Sequence, residues 1–406
     1  MQQITDQKEL DKIPTVFQLG FRVFFLAGSL FCVIALFLWG SQFFQGIKIS
    51  PLGGSFWWHS HEMIFGFALA IIAGFLLTAV QTWTGIPGIK GLKLALLFLL
   101  WLLARILLLF PTLLPASEYS LIAISIIDLL FIPAVAFVLA YPIIVNKQWR
   151  NLIFIPILIL LFIENLIMHL GLWLNTPTIS FDAAWAGVFT VVMLISVMGG
   201  RVIPFFTAKA TATNQPSAIL LLELLANLPI LIVITYFIAT RPDFVSNQAL
   251  VIIFSTAAFF QLIRFARWRF WLCFKNPLLW SLHASYLFIP LGLTLLALHF
   301  AGFNVSQSQA LHSLTVGAIG GLILAMMARV SLGHTGRKLQ TLRGMGIAFM
   351  LMILAGIFRS PLAAFDLLSP MMSLKLSFVF FILAYSIFLR RYIPILLQRR
   401  IDGRTG

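Results

Sequence analysis

Twelve apolar runs of membrane-spanning length divide this 406-residue chain. A run of about 18–25 predominantly apolar residues is long enough for a helix to cross the hydrocarbon core of a bilayer. The predicted spans are residues 21–40, 62–83, 91–110, 119–141, 151–174, 183–200, 217–239, 247–266, 279–301, 310–332, 342–359 and 371–396. The connections are short and hold most of the Pro, Asn, Asp and Gly residues. The sequence therefore predicts an all-α, polytopic membrane helix bundle with one transmembrane domain, residues 21–396, between tails at 1–20 and 397–406.

The composition supports a lipid-embedded chain. Only 10% of the residues are charged, whereas a soluble domain carries roughly a quarter. Basic loops facing an anionic membrane surface explain the net charge of +15, so we expect no nucleic-acid partner. The N-terminus lacks a small-residue cleavage site and is not typical of a cleaved signal peptide. Cys32 and Cys273 fall in distant segments, which argues against a disulfide, and the sequence has no Cys-x-x-Cys-His motif for covalent haem.

The basic residues predict the orientation. If the N-terminus is cytoplasmic, all but five of the 27 Lys and Arg residues fall on the cytoplasmic side. The five exceptions are Lys48, Arg105, Arg241, Arg359 and Lys375. Because the asymmetry recurs at every second loop, it predicts that both termini are cytoplasmic. We expect a multi-pass membrane protein.

Three ionisable residues, Arg105, Asp128 and Glu164, lie within predicted spans. A charge inside a bilayer costs several kcal/mol, so such residues usually face the bundle interior and have a partner. Arg105 and Glu164 map to the same half of the membrane, which suggests an ion pair between them. That pair would either hold two helices together or serve a proton path or redox site.

Five of the seven histidines map to the outer half of the membrane. A single His in a membrane helix is more often a packing residue, but five at one depth favour ligation of iron, copper or zinc. The candidate metal ligands are His59, His61, His169 and His312 in the outer half, with His283 and His334 on the cytoplasmic side. We interpret His299, which has no polar neighbours in the sequence, as interfacial.

The stretch SFWWHSHEMIFGF, residues 55–67, places two of these histidines beside a glutamate. On a helix, His59 and His61 would point about 200° apart and serve two neighbouring sites. In a non-helical segment, both could bind one metal. Glu62 is a candidate proton acceptor, and Trp57 and Trp58 are typical of an interfacial aromatic belt.

Small and basic residues mark further candidate sites. Small-residue stripes run through two spans at Gly66, Ala70 and Gly74 and at Gly317, Gly321, Ala325 and Ala328. Such stripes usually allow close helix packing, and a flat porphyrin against them is the alternative. Arg201, Arg329 and Arg337 are placed to anchor carboxylates such as haem propionates, or simply follow the inside-positive charge pattern.

Four blocks of the sequence resemble the signature blocks of the NnrS family. They are WHSHEMIFGFALAIIAGFLLTAVQTWTG (58–85), GGRVIPFFT (199–207), NPLLWSLHASY (276–286) and LHSLTVGAIGGLILAMMARVSLGHTGR (311–337). The blocks occur in family order, and the twelve-span layout is similar across nearly the whole chain. The resemblance implies a bacterial inner-membrane protein that contains haem and copper and is associated with denitrification and nitric oxide resistance.

The resemblance also implies site residues. The matched blocks contain His59, His61, His283, His312, His334, Glu62, Arg201 and Arg329. We take His61, His283, His312, Arg201 and Arg329 as the candidates for binding non-covalent haem b. We expect a second metal near the haem, either copper or non-haem iron. Which histidine binds which metal stays open.

The leading hypothesis is reduction of nitric oxide to N2O, an oxidoreductase activity that protects against nitrosative stress. Glu62, Asp128 and Glu164 are the carboxylates placed to relay the required protons. The electrons would come from quinol or a periplasmic redox protein, since no cytochrome or flavin domain is evident in the chain. The alternatives are a non-catalytic haem sensor of nitric oxide and a transporter of copper, haem or a metal-nitrosyl species.

Overall fold

The computed structural model describes residues 12–239, 241 and 245–403, so Lys8, Arg404 and parts of both predicted tails lie outside the described residues. Every regular element in these ranges is a helix. Twelve helices are long and apolar enough to cross a membrane. The predicted all-α, twelve-span architecture is confirmed, and the chain is a multi-pass membrane protein. The orientation of the termini stays a prediction.

The long helices match the predicted spans in number and order. They are α1 Gly20–Phe43, α2 Gly54–Thr84, α3 Gly91–Leu109, α4 Glu118–Val145, α5 Trp149–Trp173, α6 Pro177–Thr211, α7 Leu220–Ile238, α8 Asn247–Arg267, α9 Pro277–Phe300, α10 Gln307–His334, α11 Met345–Ala364 and α12 Pro370–Leu397. The largest shifts are at α2 and α6, which extend beyond their apolar runs. Gly53 and Gly54, with φ of 71° and 80°, turn the chain into α2 well before the predicted start. The two histidines of the SFWWHSHEMIFGF stretch are therefore helical.

The described residues form two compact units. The first unit contains the residues up to Gly187, Val330–Leu339 and those from Leu389 onward. In it, α1 packs along α2, and Gly20 and Gly74 let the two backbones approach closely. The second unit contains residues 188–329 and 340–388, and α8 packs there against α7 and α9.

Helices α2 and α10 share an unusual irregularity. Each begins as an α-helix, changes to π-helical geometry over Glu62–Ala68 or Ser313–Gly320, and returns to an α-helix. Each π segment starts directly after a histidine, His61 or His312. Because π-helical turns are rare and occur frequently at functional sites, this geometry supports both histidines as candidate functional residues.

The small-residue stripe of α10 packs against protein. A Cβ at Gly317 would overlap the ring of Phe288, and one at Gly321 would overlap Ser285. A Cβ at Gly356 of α11 would lie 2.8 Å from the Cα of Gly317. The close-packing interpretation is confirmed here, and the Phe288 ring leaves no room for a porphyrin at Gly317.

We expect Gly317→Ala to destabilise the second unit by about 1–3 kcal/mol, because overpacking a close helix contact forces side chains and backbone apart. The matched control is Gly333→Ala on the same helix, where the nearest atom to a new Cβ is 3.9 Å away. Thermal unfolding of both variants in detergent measures the difference. Equal melting temperatures for the two variants would contradict the packing assignment.

Candidate metal centre

Three side chains of the first unit converge deep in the bundle. His61 of α2, Asp128 of α4 and His169 of α5 each offer a ligand atom, and these atoms lie within 4.8 Å of one another. The Nε2 atoms of His61 and His169 are each 3.1 Å from Oδ2 of Asp128. Both histidines have no exposed surface, and Asp128 is 3% exposed. Two imidazoles and a carboxylate form a donor set used by non-haem iron and by zinc.

Asn165 completes this group, which we call the His61 cluster: His61, Asp128, Asn165 and His169. Its Oδ1 atom is 2.9 Å from His61 Nε2, and its Nδ2 atom donates to Asp128 Oδ2 at 2.8 Å. Asn165 precedes His169 by four residues, so the two side chains share one face of α5. Sequence reasoning missed Asn165, although this spacing within an apolar helix is the signal that could have found it.

Packing orients the His61 ring. Trp57, one turn earlier on α2, stacks on His61 with ring centroids 4.8 Å apart. The Trp57 indole donates to the carbonyl of Met168 at 3.4 Å, which ties α2 to the part of α5 that carries His169. Trp57 and Trp58 are both buried. Their predicted role in an interfacial aromatic belt is therefore wrong, because they pack inside the protein.

The helical geometry separates His59 from His61. His59 stacks on Trp39 of α1 with ring centroids 4.3 Å apart, whereas His61 faces α4 and α5. The helix that contains both residues starts at Gly54. The helical alternative is thus correct, and the two histidines do not chelate one ion.

Arg105 of α3 connects the cluster to Glu62. Its Nη1 atom donates to Glu62 Oε2 at 2.8 Å, and its Nη2 atom donates to Asp128 Oδ1. The predicted pair between Arg105 and Glu164 is wrong, because the Arg105 guanidinium binds the carboxylates of Glu62 and Asp128 instead. Glu164 is fully buried on α5 beside Gly187.

A glycine makes room for this ion pair. A Cβ at Gly66 would overlap Glu62 Oε2 and lie 2.8 Å from Arg105 Nη1. Trp101 of α3 donates to the Gly66 carbonyl at 3.0 Å and fixes the two helices at this level. Gly66 of the small-residue stripe in α2 therefore accommodates the ion pair of Glu62 and Arg105.

The charges around the His61 cluster leave room for a bound cation. Glu62 and Asp128 carry two negative charges, and Arg105 balances one of them. Both Nε2 atoms face acceptor oxygens, Asp128 Oδ2 for each and Asn165 Oδ1 for His61, so a bound metal ion would replace the protons on these nitrogens. Because buried charges usually need a partner, a second positive charge beside Arg105 would come either from a proton on His61 or from a metal ion held by the two imidazoles and Asp128.

The other predicted histidines lie outside this cluster. His312 in the second unit has its Nδ1 atom 2.6 Å from the carbonyl of Ser308, so Nδ1 carries the proton and Nε2 the lone pair. Arg359 Nη2 is 3.4 Å from that Nε2 atom. His334 in the first unit contacts Phe21, with ring centroids 5.6 Å apart.

His283 lies beside a hydroxyl and a thiol in the second unit. Its Nε2 atom is 2.9 Å from Thr207 Oγ1, which lies 3.7 Å from Cys273 Sγ. Burial raises the pKa of the Cys273 thiol, so the protonated form, a poor metal ligand, is favoured at neutral pH. Cys273 and Cys32 are both free, as expected.

These features define a polytopic membrane protein with a buried cluster suited to a metal ion. The family model described as NnrS protein matches residues 15–400. The chain therefore belongs to the NnrS family, and the resemblance of its four sequence blocks is confirmed. A comparison with curated proteins gave no match.

Proposed function

We propose that this NnrS protein consumes nitric oxide inside the bacterial inner membrane by reducing it to N2O. The observation that carries the proposal is the His61 cluster, which offers two imidazoles and a carboxylate deep in an apolar bundle. Nitric oxide is small, neutral and soluble in lipid, so it reaches such a site without an aqueous channel. The proposed cofactors are non-covalent haem b and a second metal, copper or non-haem iron.

The reaction requires electrons and protons from elsewhere. Two NO molecules, two electrons and two protons give N2O and water, with one N–N bond formed and one N–O bond broken. The proposed electron donor is quinol or a periplasmic redox protein. Glu62, held by Arg105 at 2.8 Å and next in sequence to His61, is the carboxylate best placed to hold a proton at the cluster. Asp128, bound by Arg105 and both imidazoles, is better suited to stay ionised.

The donor atoms suggest how the cofactors would be divided. His61, His169 and Asp128 would hold the second metal, because nitrogen and carboxylate oxygen suit iron, zinc or Cu(II) better than soft Cu(I). His312 has the tautomer of a haem ligand, with Nδ1 donating to a carbonyl and Nε2 bearing the lone pair. When bound, the haem and the metal would supply nitric oxide binding and redox chemistry.

Transport of copper, haem or a metal-nitrosyl species is the second candidate function. The observation behind it is the π-helical geometry in α2 and α10, because π-helical turns occur frequently at functional sites. The carboxylates and histidines of the His61 cluster would then be a transient metal site.

The test is to purify the full chain and measure its metal content and its pyridine haemochromogen spectrum. Reductant is then added, with nitric oxide followed by electrode and N2O by gas chromatography. We expect haem, a second metal and sustained N2O formation. Haem with one stoichiometric uptake of nitric oxide and no N2O would favour a sensor. Absence of haem would exclude both the reductase and the haem sensor, and transport would remain as the candidate function.

A further inference from the structure

Three arginines of the first unit meet beside the start of α1 and the ends of α10 and α12. Arg22 of α1 donates from Nη1 to the backbone carbonyl of Gln398 at 2.7 Å. Arg337, three residues after the end of α10, donates from Nη2 to the side-chain oxygen of the same Gln398 at 3.1 Å. Arg400 donates to the carbonyl of His334, the last residue of α10, at 3.4 Å. We call Arg22, Arg337 and Arg400 the arginine cluster.

The described part of the chain leaves this cluster with an excess of positive charge. Asp402 binds Arg400 with both carboxylate oxygens, at 2.6 and 2.9 Å. The acceptors of Arg22 and Arg337 are backbone and amide oxygens at the end of α12, and a helix C-terminus supplies only about half a negative charge. Because an arginine does not lose its proton in a protein, two guanidinium charges lack a carboxylate within the described residues.

The same two arginines also have buried donors that no acceptor of the described residues reaches. Nε of Arg22 and Nη1 of Arg337 are buried and have no hydrogen-bond partner there. By contrast, each guanidinium nitrogen of Arg264, an equally buried arginine in the second unit, has an oxygen acceptor. Since buried polar groups in proteins nearly always have a partner, the arginine cluster has both the charge and the free donors of an anion site.

We infer that the arginine cluster binds a phosphate group, either of a phospholipid headgroup or of free phosphate. A phosphate presents several strong acceptor oxygens in different directions, so more than one guanidinium can bind it. Arg337 is partly exposed and Asp402 is 32% exposed, so the cluster opens at the protein surface. Its position at the ends of spanning helices favours a headgroup, because basic pockets between such helices bind anionic lipids. The inference is independent of the proposed nitric oxide chemistry.

The experiment compares an anionic lipid with a zwitterionic one. The full chain is purified, delipidated in detergent and titrated with phosphatidylglycerol or phosphatidylcholine of the same acyl chains, and bound lipid is counted by native mass spectrometry. The wild-type protein should bind phosphatidylglycerol about tenfold more tightly, a difference of about 1.4 kcal/mol.

Inorganic phosphate distinguishes the two sources of the ligand. A preference for phosphatidylglycerol that persists in millimolar inorganic phosphate assigns the cluster to a lipid headgroup. A melting temperature that millimolar phosphate raises in the absence of lipid, with no preference between the lipids, assigns it to free phosphate. If the wild-type protein shows neither effect, the inference is overturned, and this comparison needs no variant to fold.

Two variants assign the effect to the arginine cluster. Arg337→Gln removes a partly exposed guanidinium and should lose most of the lipid preference or of the phosphate effect. Arg150→Gln removes an equal charge from an exposed position in the same unit and should keep it. Equal losses in the two variants would show that the anion responds to overall surface charge, which would also overturn the inference.

Discussion

His61→Ala is expected to reduce the metal content of the purified protein from about one ion per chain to less than a tenth. The change removes one of three ligand side chains that meet within 4.8 Å. Since loss of even an outer-sphere partner costs roughly 10–100-fold in metal affinity, loss of a direct ligand should cost at least about 100-fold. Elemental analysis by mass spectrometry after dialysis measures the ion, and a nitric oxide electrode measures the accompanying loss of turnover.

The matched control for this prediction is His59→Ala. It removes an imidazole from the same helix, two residues away, that stacks on Trp39 and does not face the cluster. We expect this variant to keep the metal of the His61 cluster. Metal loss in His59→Ala with retention in His61→Ala would reverse the assignment of the two side chains. Equal retention in both would place the metal elsewhere.

The sequence predicts the architecture well because the bilayer simplifies the problem. A spanning helix must be long, apolar and internally hydrogen-bonded, so all twelve spans could be found from apolar runs alone. The helix ends were less predictable. The start of α2 depends on positive φ at Gly53 and Gly54. The polar Trp-Trp-His-Ser-His stretch lacks the apolar pattern of a span, although it is helical in the structure.

The candidate site was only partly predictable. The spacing of His59 and His61 correctly indicated divergent directions, because helical geometry fixes the angle between neighbouring side chains. The sequence does not show which helices are neighbours, so it pairs Arg105 with Glu164, whereas the partners in the fold are Glu62 and Asp128. The sequence predicts Asp128 as a candidate proton-relay carboxylate, but only the tertiary fold places it between two histidines.

The second large effect is expected from Arg105→Gln. This change removes the buried guanidinium that pairs with the carboxylates of Glu62 and Asp128, and breaking a buried pair in this way costs about 3–5 kcal/mol. We expect a marked fall in the melting temperature and in the yield of folded protein. Arg150→Gln, which removes an exposed arginine from the same unit, should have little effect.

A charge-matched double variant tests the reason for this loss. Arg105→Gln combined with Glu62→Gln restores the original balance of the cluster, because it removes one positive and one negative charge. The double variant should therefore recover a large part of the lost stability. A divalent metal should also stabilise Arg105→Gln more than it stabilises the wild-type protein, since the cation replaces the missing charge. If neither the second substitution nor the metal raises the melting temperature, the electrostatic account of the His61 cluster is wrong and Arg105 acts through packing alone.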